Sequence, residues 1–216
     1  MEKIIIIGCG QHANVVLYNV KEQGKYEVLG FFDSNPSKVG EEFYGLKVLE
    51  CYKEWDLEEL IYKYNTNKFF IGFGNMEYRK HVYEEFVNAG WEAVNIFHPD
   101  AIISEEAEIG RGVLIEAGCL ITPNPVIGDN VVVNTGSQIN HDNIIKNHVY
   151  MASGVVLSGG VTIEENTLID DGVIITLGSK VGKDCIIGAG SVVTKDVDDN
   201  VVVYGVPAKI IRENNI

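Results

Sequence analysis

The sequence predicts two domains of different class. Residues 1–97 read as a small α/β sheet, and residues 98–216 as a prism of short stacked strands. Two observations predict the prism. From Ile103, every sixth residue as far as Val193 is apolar, with no insertion breaking the register. The residue two before is also restricted, mostly small or β-branched, as at Val113, Cys119, Val131 and Ser137. At an overall apolar fraction of 46 %, such a run is far outside chance. A third observation predicts the sheet: buried-type strands alternate with helical segments before residue 97.

In the first domain, Lys3–Ile7 is a short apolar run, as in a strand buried on both faces. It enters Gly8-Cys9-Gly10-Gln11-His12-Ala13, and Asn14–Lys21 reads as helix. Strand, glycine turn and helix with the spacing G-x-G-x-x-A make a Rossmann-like unit. Its backbone N–H groups and helix N-terminus can approach a phosphate. A second strand, Tyr26–Phe32, runs into Asp33, where an acid commonly contacts a ribose or base. Too few residues precede the repeat for the two halves that bind a dinucleotide. The motif leaves open an ordinary βα turn or a mononucleotide or nucleotide-sugar site.

Leu46–Leu49 reads as a short edge strand, Leu57–Tyr64 as a helix and Lys68–Ile71 as a buried strand. Glu77–Asn88 reads as a helix and Glu92–Ile96 as the last strand before the Phe97-His98-Pro99-Asp100 boundary. Ligands of parallel sheets gather beyond the carboxyl ends of the strands. Gly8–His12, Asp33-Ser34 and Gly74-Asn75 all fall there.

A period of six fits neither a helix face nor an alternating strand. It fits a short strand, a bend and a repeat, with an aliphatic stripe along the prism axis. Residues that tolerate positive φ are expected at the corners, directly after the inward residue, as at Gly110, Gly128, Asn134 and Gly182. After Val193 the chain turns away through Gly205-Val206-Pro207-Ala208-Lys209 into a short tail.

One stretch does not serve the prism. Ile139 points inward, so His141 two residues later projects outward beside Asp142. A histidine with an adjacent acid can act as a general base. The alternative is a solvated surface histidine. His, Cys and acids show no metal-ligand spacing. The net charge of −14 argues against nucleic acid and sets a problem for any anionic ligand, which needs a local cation. No apolar run reaches the roughly 20 residues of a membrane span. No signal peptide is recognised at Met1–Ile7, and Cys9, Cys51, Cys119 and Cys185 lack paired spacing, which suits a cytoplasmic protein.

Together, the glycine-turn domain, the hexapeptide repeat, the His141-Asp142 pair and the terminal Gly-Val-Pro-Ala-Lys resemble the bacterial sugar O/N-acetyltransferases with hexapeptide repeats. These are typified by the bacillosamine-pathway UDP-4-amino-sugar N-acetyltransferase and the sialic acid O-acetyltransferase. The resemblance runs from Lys3 to Lys209. It implies a left-handed parallel β-helix, an exception to the right-handed crossover rule. It also implies acetyl-CoA as co-substrate, no metal, and a homotrimer with active sites between subunits. His141 takes the place of the general base, Asp142 of the acid behind it, and Asn134 of a residue near the acceptor amine. Tyr150, Asp171, Ala189 and Lys209 fall at acetyl-CoA positions, with Tyr150 where some members have histidine; the Gly159 N–H is a candidate oxyanion donor. Gly10, Gln11, His12, Ala13, Asp33, Ser34 and Gly74 fall at nucleotide-sugar positions, UDP being the favoured nucleotide. The implied reaction is N-acetylation of a nucleotide-linked 4-amino sugar. The alternatives are O-acetylation of sialic acid or a related sugar, and a trimeric scaffold without activity.

Overall fold

The computed structural model describes residues 1–214. The chain divides into two compact units, Met1–Ile96 and Phe97–Ile216. Among the described residues no helix is long and apolar enough to cross a membrane.

The first unit contains β1 (Glu2–Ile7), α1 (Gln11–Gln23), β2 (Tyr26–Asp33), β3 (Glu42–Phe43) and β4 (Leu46–Cys51). After these come α2 (Leu57–Tyr64), β5 (Lys68–Ile71), α3 (Met76–Asn88) and β6 (Glu92–Ala93). The sheet order is β3-β4-β2-β1-β5-β6, parallel except for the β3–β4 hairpin. Ile4–Ile7 of β1 are fully buried at its centre, as a continuous apolar run requires. β4, expected at the edge, is covered by β3. α1 starts three residues earlier than expected because Gly10 takes the extended N-cap conformation and the helix begins at once. It stops at Gly24, which is left-handed and returns its N–H to Val20 O. The last expected strand is interrupted: Glu92–Ala93 and Ile96–Phe97 are separate two-residue strands. Phe32, Phe69, Phe86 and Trp91 pack edge-on or tilted beneath the sheet, and Trp91 Nε1 donates to Leu57 O.

The second unit is a three-sided prism. Sixteen two-residue strands run from Ile102–Ile103 to Val192–Val193, and each ends on one of the residues of the six-step series. They form three parallel sheets in which strand partners are 18 residues apart: Leu114↔Val132, Leu120↔Gln138, Val126↔Ile144. One coil is therefore three hexapeptides. We call the sheet through Leu114 and Val132 the first face, that through Leu120 and Gln138 the second, and that through Val126 and Ile144 the third.

From Ile115 to Val193 the inward residues are almost completely buried and form one core with the small residues two before them. Ile103 and Ile109 are only partly buried, because the first coil has a neighbouring coil on one side only. Polar residues at the small inward position are matched to backbone. Ser137 Oγ donates to Ala152 O and accepts from Val155 N–H; Thr167 Oγ1 does the same for Gly182 O and Cys185 N–H. Asn143, fully buried at this position, accepts from Val161 N–H at 2.6 Å.

The corners differ from expectation. Left-handed backbone recurs every sixth residue from Gly112 to Gly190, but three residues after the inward position rather than one. Glycine directly after the inward residue serves close approach instead. A Cβ on Gly128 would lie 2.4 Å from Asn147 Oδ1, which is held over it by accepting from Asp129 N–H at 2.9 Å. The tail is also more ordered than expected: Val201–Gly205 joins the first face, and Ala208–Glu213 pairs with it antiparallel.

The aliphatic stripe sets the stability of this unit. Leu157→Ala, at a fully buried inward position, is expected to cost about 2–5 kcal/mol in urea denaturation. Glu108→Ala, on an exposed outward position, is expected to cost less than ~0.5 kcal/mol.

Candidate active site

The carboxyl ends of β1, β2 and β5 border a cleft of about 350 Å³. Gly8, Gly10, Asp33, Ser34 and Lys38 line it together with Tyr52, Phe73 and Tyr78. Gly8 has φ +89°, and a Cβ there would meet the Phe73 ring at 2.6 Å, so glycine is required for the turn to close. No side chain caps the N-terminus of α1.

Asp33 is the most constrained group in this cleft. Its Oδ2 accepts from the Cys9 N–H at 3.3 Å, the Cys9 thiol at 3.1 Å and Lys38 Nζ at 3.0 Å. Its Oδ1 accepts from Asn35 N–H at 3.0 Å. Burial alone would raise its pKa; hydrogen bonds from Cys9, Lys38 and Asn35 outweigh burial and hold the carboxyl below its usual range. Burial and the Asp33 contact push the Cys9 thiol up to about 11, so it stays a protonated donor.

Of the residues expected at the nucleotide site, Gly10, Asp33 and Ser34 line the cleft. Gln11 is exposed at the start of α1, and Gly74 is exposed between Phe73 and Asn75, which line the cleft in its place. Ala13 is placed differently from these. Its side chain is fully buried, facing Gly72 at the end of β5, and its N–H is committed to Gly10 O. Two small residues there let α1 pack close to the strand, so Ala13 is a packing residue. Lys38 was not recognised from the sequence, although Asn35-Pro36-Ser37 sets the tight turn that carries it. Tyr52 and Phe73 left no sequence signal.

His12 is half-buried. Burial, then the Arg79 charge, lowers its pKa to about 4.

In the prism, His141 is exposed at the corner between the second and third faces. Its Nδ1 lies 2.8 Å from Asp142 Oδ2. Asp142 has left-handed backbone, and its Oδ1 accepts from Asn124 Nδ2 at 3.3 Å, one coil back. The hydrogen bonds from His141 and then Asn124 lower its pKa, so it is a carboxylate, an acceptor only. Nδ1 then carries the proton and Nε2 the lone pair. Gly159, one coil later, backs the ring: a Cβ there would lie 2.4 Å from Nε2 and Cε1. Gly160 N–H donates to His141 O at 2.9 Å. Among the described residues, the Gly159 N–H has no hydrogen-bond partner.

The other expected residues lie elsewhere on the prism. Asn134, Asp171 and Ala189 occupy the corner between the first and second faces. Tyr150 is on the first face and accepts from Asn134 Nδ2 at 3.2 Å. Asp171 Oδ1 accepts from Ser153 N–H at 3.0 Å. Lys209 is exposed in the terminal hairpin. One chain thus joins His141, Asp142 and Gly159 at one corner and Asn134 and Tyr150 at another, with the second face between them.

An α/β unit with a glycine turn, attached to a hexapeptide prism carrying an oriented histidine, defines a hexapeptide-repeat transferase. Comparison with known proteins narrows the class. A family described as the PglD N-terminal domain matches residues 3–86, and one described as bacterial transferase hexapeptide (six repeats) matches residues 160–195. PerB from Caulobacter crescentus, solved with CoA and GDP-perosamine, is 30 % identical with a TM-score of 0.90, covering 98 % of both chains. The H141A mutant of GDP-perosamine N-acetyl transferase from the same organism, with the same ligands, has a TM-score of 0.91 at 29 % identity, covering 99 % of this chain and 98 % of that one. The acetyltransferase domain of PglB from Neisseria gonorrhoeae FA1090, in complex with acetyl coenzyme A, has a TM-score of 0.88 at 29 % identity, covering 97 % and 99 %. The galactoside O-acetyltransferase of Escherichia coli (strain K12) is 63 % identical over 30 residues, and the chain spans 15 % of its length. The chain belongs to the bacterial sugar acetyltransferases with hexapeptide repeats, and its prism is the left-handed parallel β-helix of that family.

The half-buried His12 of α1 makes a pH prediction. In the unfolded chain His12 protonates near 6.5, and in the folded chain only near 4. The unfolded state therefore binds more protons between those values. The stability is fully present above pH 6.5 and falls by roughly 3 kcal/mol as pH drops toward 4. Urea denaturation across this range is expected to show a shallower acid loss in His12→Gln than in wild type.

Proposed function

We propose that the chain transfers the acetyl group of acetyl-CoA to the 4-amino group of a nucleotide-linked amino sugar, by direct transfer with His141 as general base. One observation carries this reading. His141 is exposed, Asp142 fixes its tautomer at 2.8 Å, and Gly159 leaves the Nε2 edge clear of side chains. Acetyl-CoA supplies an activated thioester. Nε2 accepts the amine proton as nitrogen bonds to the acyl carbon; collapse of the tetrahedral adduct then breaks the C–S bond, and the imidazolium returns the proton to the departing CoA thiolate. Asp142 holds Nδ1–H and stabilises the imidazolium that results. The Gly159 N–H is the donor available to the developing oxyanion. No acyl-enzyme is required: the four cysteines are buried free thiols, and none is placed against His141. Buried reduced cysteines also fit a cytoplasmic enzyme.

The cleft of the first unit is the site proposed for the nucleotide, with Gly10, Asp33 and Ser34 in its wall. The sequence reading favours UDP; the Caulobacter relatives, solved with GDP-perosamine, make GDP the competitor.

The working form is proposed to be a homotrimer. The residues of the implied acetyl-transfer site are split between two corners of the prism within one chain. The second face between those corners presents Ile102 and Ile174, which are 67 % and 41 % exposed, with Leu120, Val156 and Val192 partly exposed and the polar Gln138 exposed in the same row. Covering that aliphatic row with a second copy removes it from water. It also lets His141 of one copy meet the Asn134 corner of another.

Thiol release from acetyl-CoA, measured against UDP-, dTDP- and GDP-linked 4-amino sugars and sialic acid, tests the reading. Turnover is expected on one nucleotide amino sugar, falling about 10²–10⁴-fold in His141→Ala. Equal rates in the two proteins make His141 a surface histidine, and turnover on sialic acid alone moves the reaction to O-acetylation. Gly159→Ala pushes the ring aside and is expected to lower kcat about 10²-fold with the melting temperature nearly unchanged.

Mixing chains tests the trimer. His141→Ala and Asn134→Ala, each impaired alone, are expected to regain activity when co-expressed, because some sites then combine an intact His141 with an intact Asn134. Activity no higher than the sum of the separate mutants places both residues in a site within one chain.

A further inference from the structure

A cleft that takes a diphosphate inside a chain of net charge −14 needs its own cation. Among the described residues lining the first unit's cleft, Lys38 is the one lysine or arginine. Its Nζ is 3.0 Å from Asp33 Oδ2. The lysine side chain remains 32 % exposed, against 9 % for the aspartate. The aspartate is the fixed partner and the lysine the accessible one.

The hydrogen bonds of Asp33 make this asymmetric. A carboxylate has about four acceptor sites. Here the Cys9 N–H, the Cys9 thiol, the Asn35 N–H and Lys38 all donate to it. A ribose hydroxyl or base N–H reaches Asp33 only by breaking one of these contacts. Lys38 has three N–H donors, and the contact with Asp33 needs one.

We propose that Lys38, held toward the cleft by Asp33, binds the diphosphate of the nucleotide-linked substrate, and that Asp33 is a positioning residue rather than a nucleotide contact. The inference rests on the nucleotide reading given above. The remaining wall suits the rest of such a ligand. Tyr52, Phe73 and Tyr78 put aromatic side chains into the wall, which suits a base, and the uncapped end of α1 brings backbone N–H groups to the same cleft.

Calorimetry on the full-length protein with UDP and GDP, and ligand-observed NMR with uridine and guanosine, test it. Lys38→Met is expected to weaken the preferred nucleoside diphosphate about 10–100-fold. Its nucleoside affinity is expected to stay within about twofold of wild type. Lys38→Arg, which keeps the charge, is expected to retain most of the diphosphate affinity. The double variant Lys38→Met/Asp33→Asn removes both charges. It is expected to match Lys38→Met, so the loss does not come from a stranded carboxylate. Unchanged diphosphate binding in Lys38→Met overturns the assignment, as does an equal loss for nucleoside and diphosphate. If wild type binds neither UDP nor GDP, the nucleotide reading falls first and this assignment with it.

Discussion

The constraint on which the C-terminal unit depends is the fixed coil of 18 residues. A narrow prism filled by one aliphatic side chain per strand keeps its register only while each hexapeptide delivers one inward residue. Strand partners keep that interval on all three faces. The interval turns sequence position into an address, because residues 18 apart are spatial neighbours. His141 meets Gly159, Asn124 meets Asp142, Asn143 meets Val161, and Asp171 meets Ser153. The geometry around His141 is thus fixed by backbone ladders above and below it, not by the flexibility of a loop. A rigid element of this kind can hold an exposed histidine at one tautomer without burying it.

The α/β unit works by a different economy. Its sheet is buried on both faces, so polar groups concentrate at the carboxyl ends of its strands. There the Cys9–Asp33–Lys38 cluster sits in a cleft whose other side chains are largely aromatic. Burial would normally keep a carboxyl neutral. Four donors reverse that, and the charge so fixed holds a lysine in place. In a chain of net charge −14, a cleft whose one fixed carboxylate is matched by a lysine carries no net charge of its own.

Much of this was legible in the sequence, and the failures have identifiable causes. The six-residue period located all sixteen strands because each strand ends on an inward aliphatic residue, fully or partly buried in one continuous core. The corner position was misplaced by two residues, since Gly110 and Gly128 look like turn residues but are glycine for lack of room beneath Asp129 and Asn147. That reason appears only when the coil length is known. Asp33 was found by its distance from the glycine turn, yet its hydrogen bonds to Cys9 and Lys38 depend on how β2 ends and could not be read. Ala13 holds a motif position that also serves helix packing, which the motif alone does not reveal. The His141-Asp142 pair was legible as chemistry, but Gly159 behind it follows from the coil alone.

Separation of the expected acetyl-transfer residues is itself an argument about assembly. In a single prism, a residue one step after the inward position and another two steps after the next inward position project from different corners. Asn134 and His141 are such a pair, so no rotamer change brings them together across the second face. Either one of them has no part in the chemistry, or the site is composite. The exposed aliphatic row on the face between them favours the second alternative. Five of the six outward residues in that row, Ile102, Leu120, Val156, Ile174 and Val192, are aliphatic, with Gln138 the sixth, which suits a face that receives another prism. The same 18-residue coil that aligns that row also aligns the two corners beside it. One repeat length then sets the contact between copies and the spacing of the groups that such a contact would join.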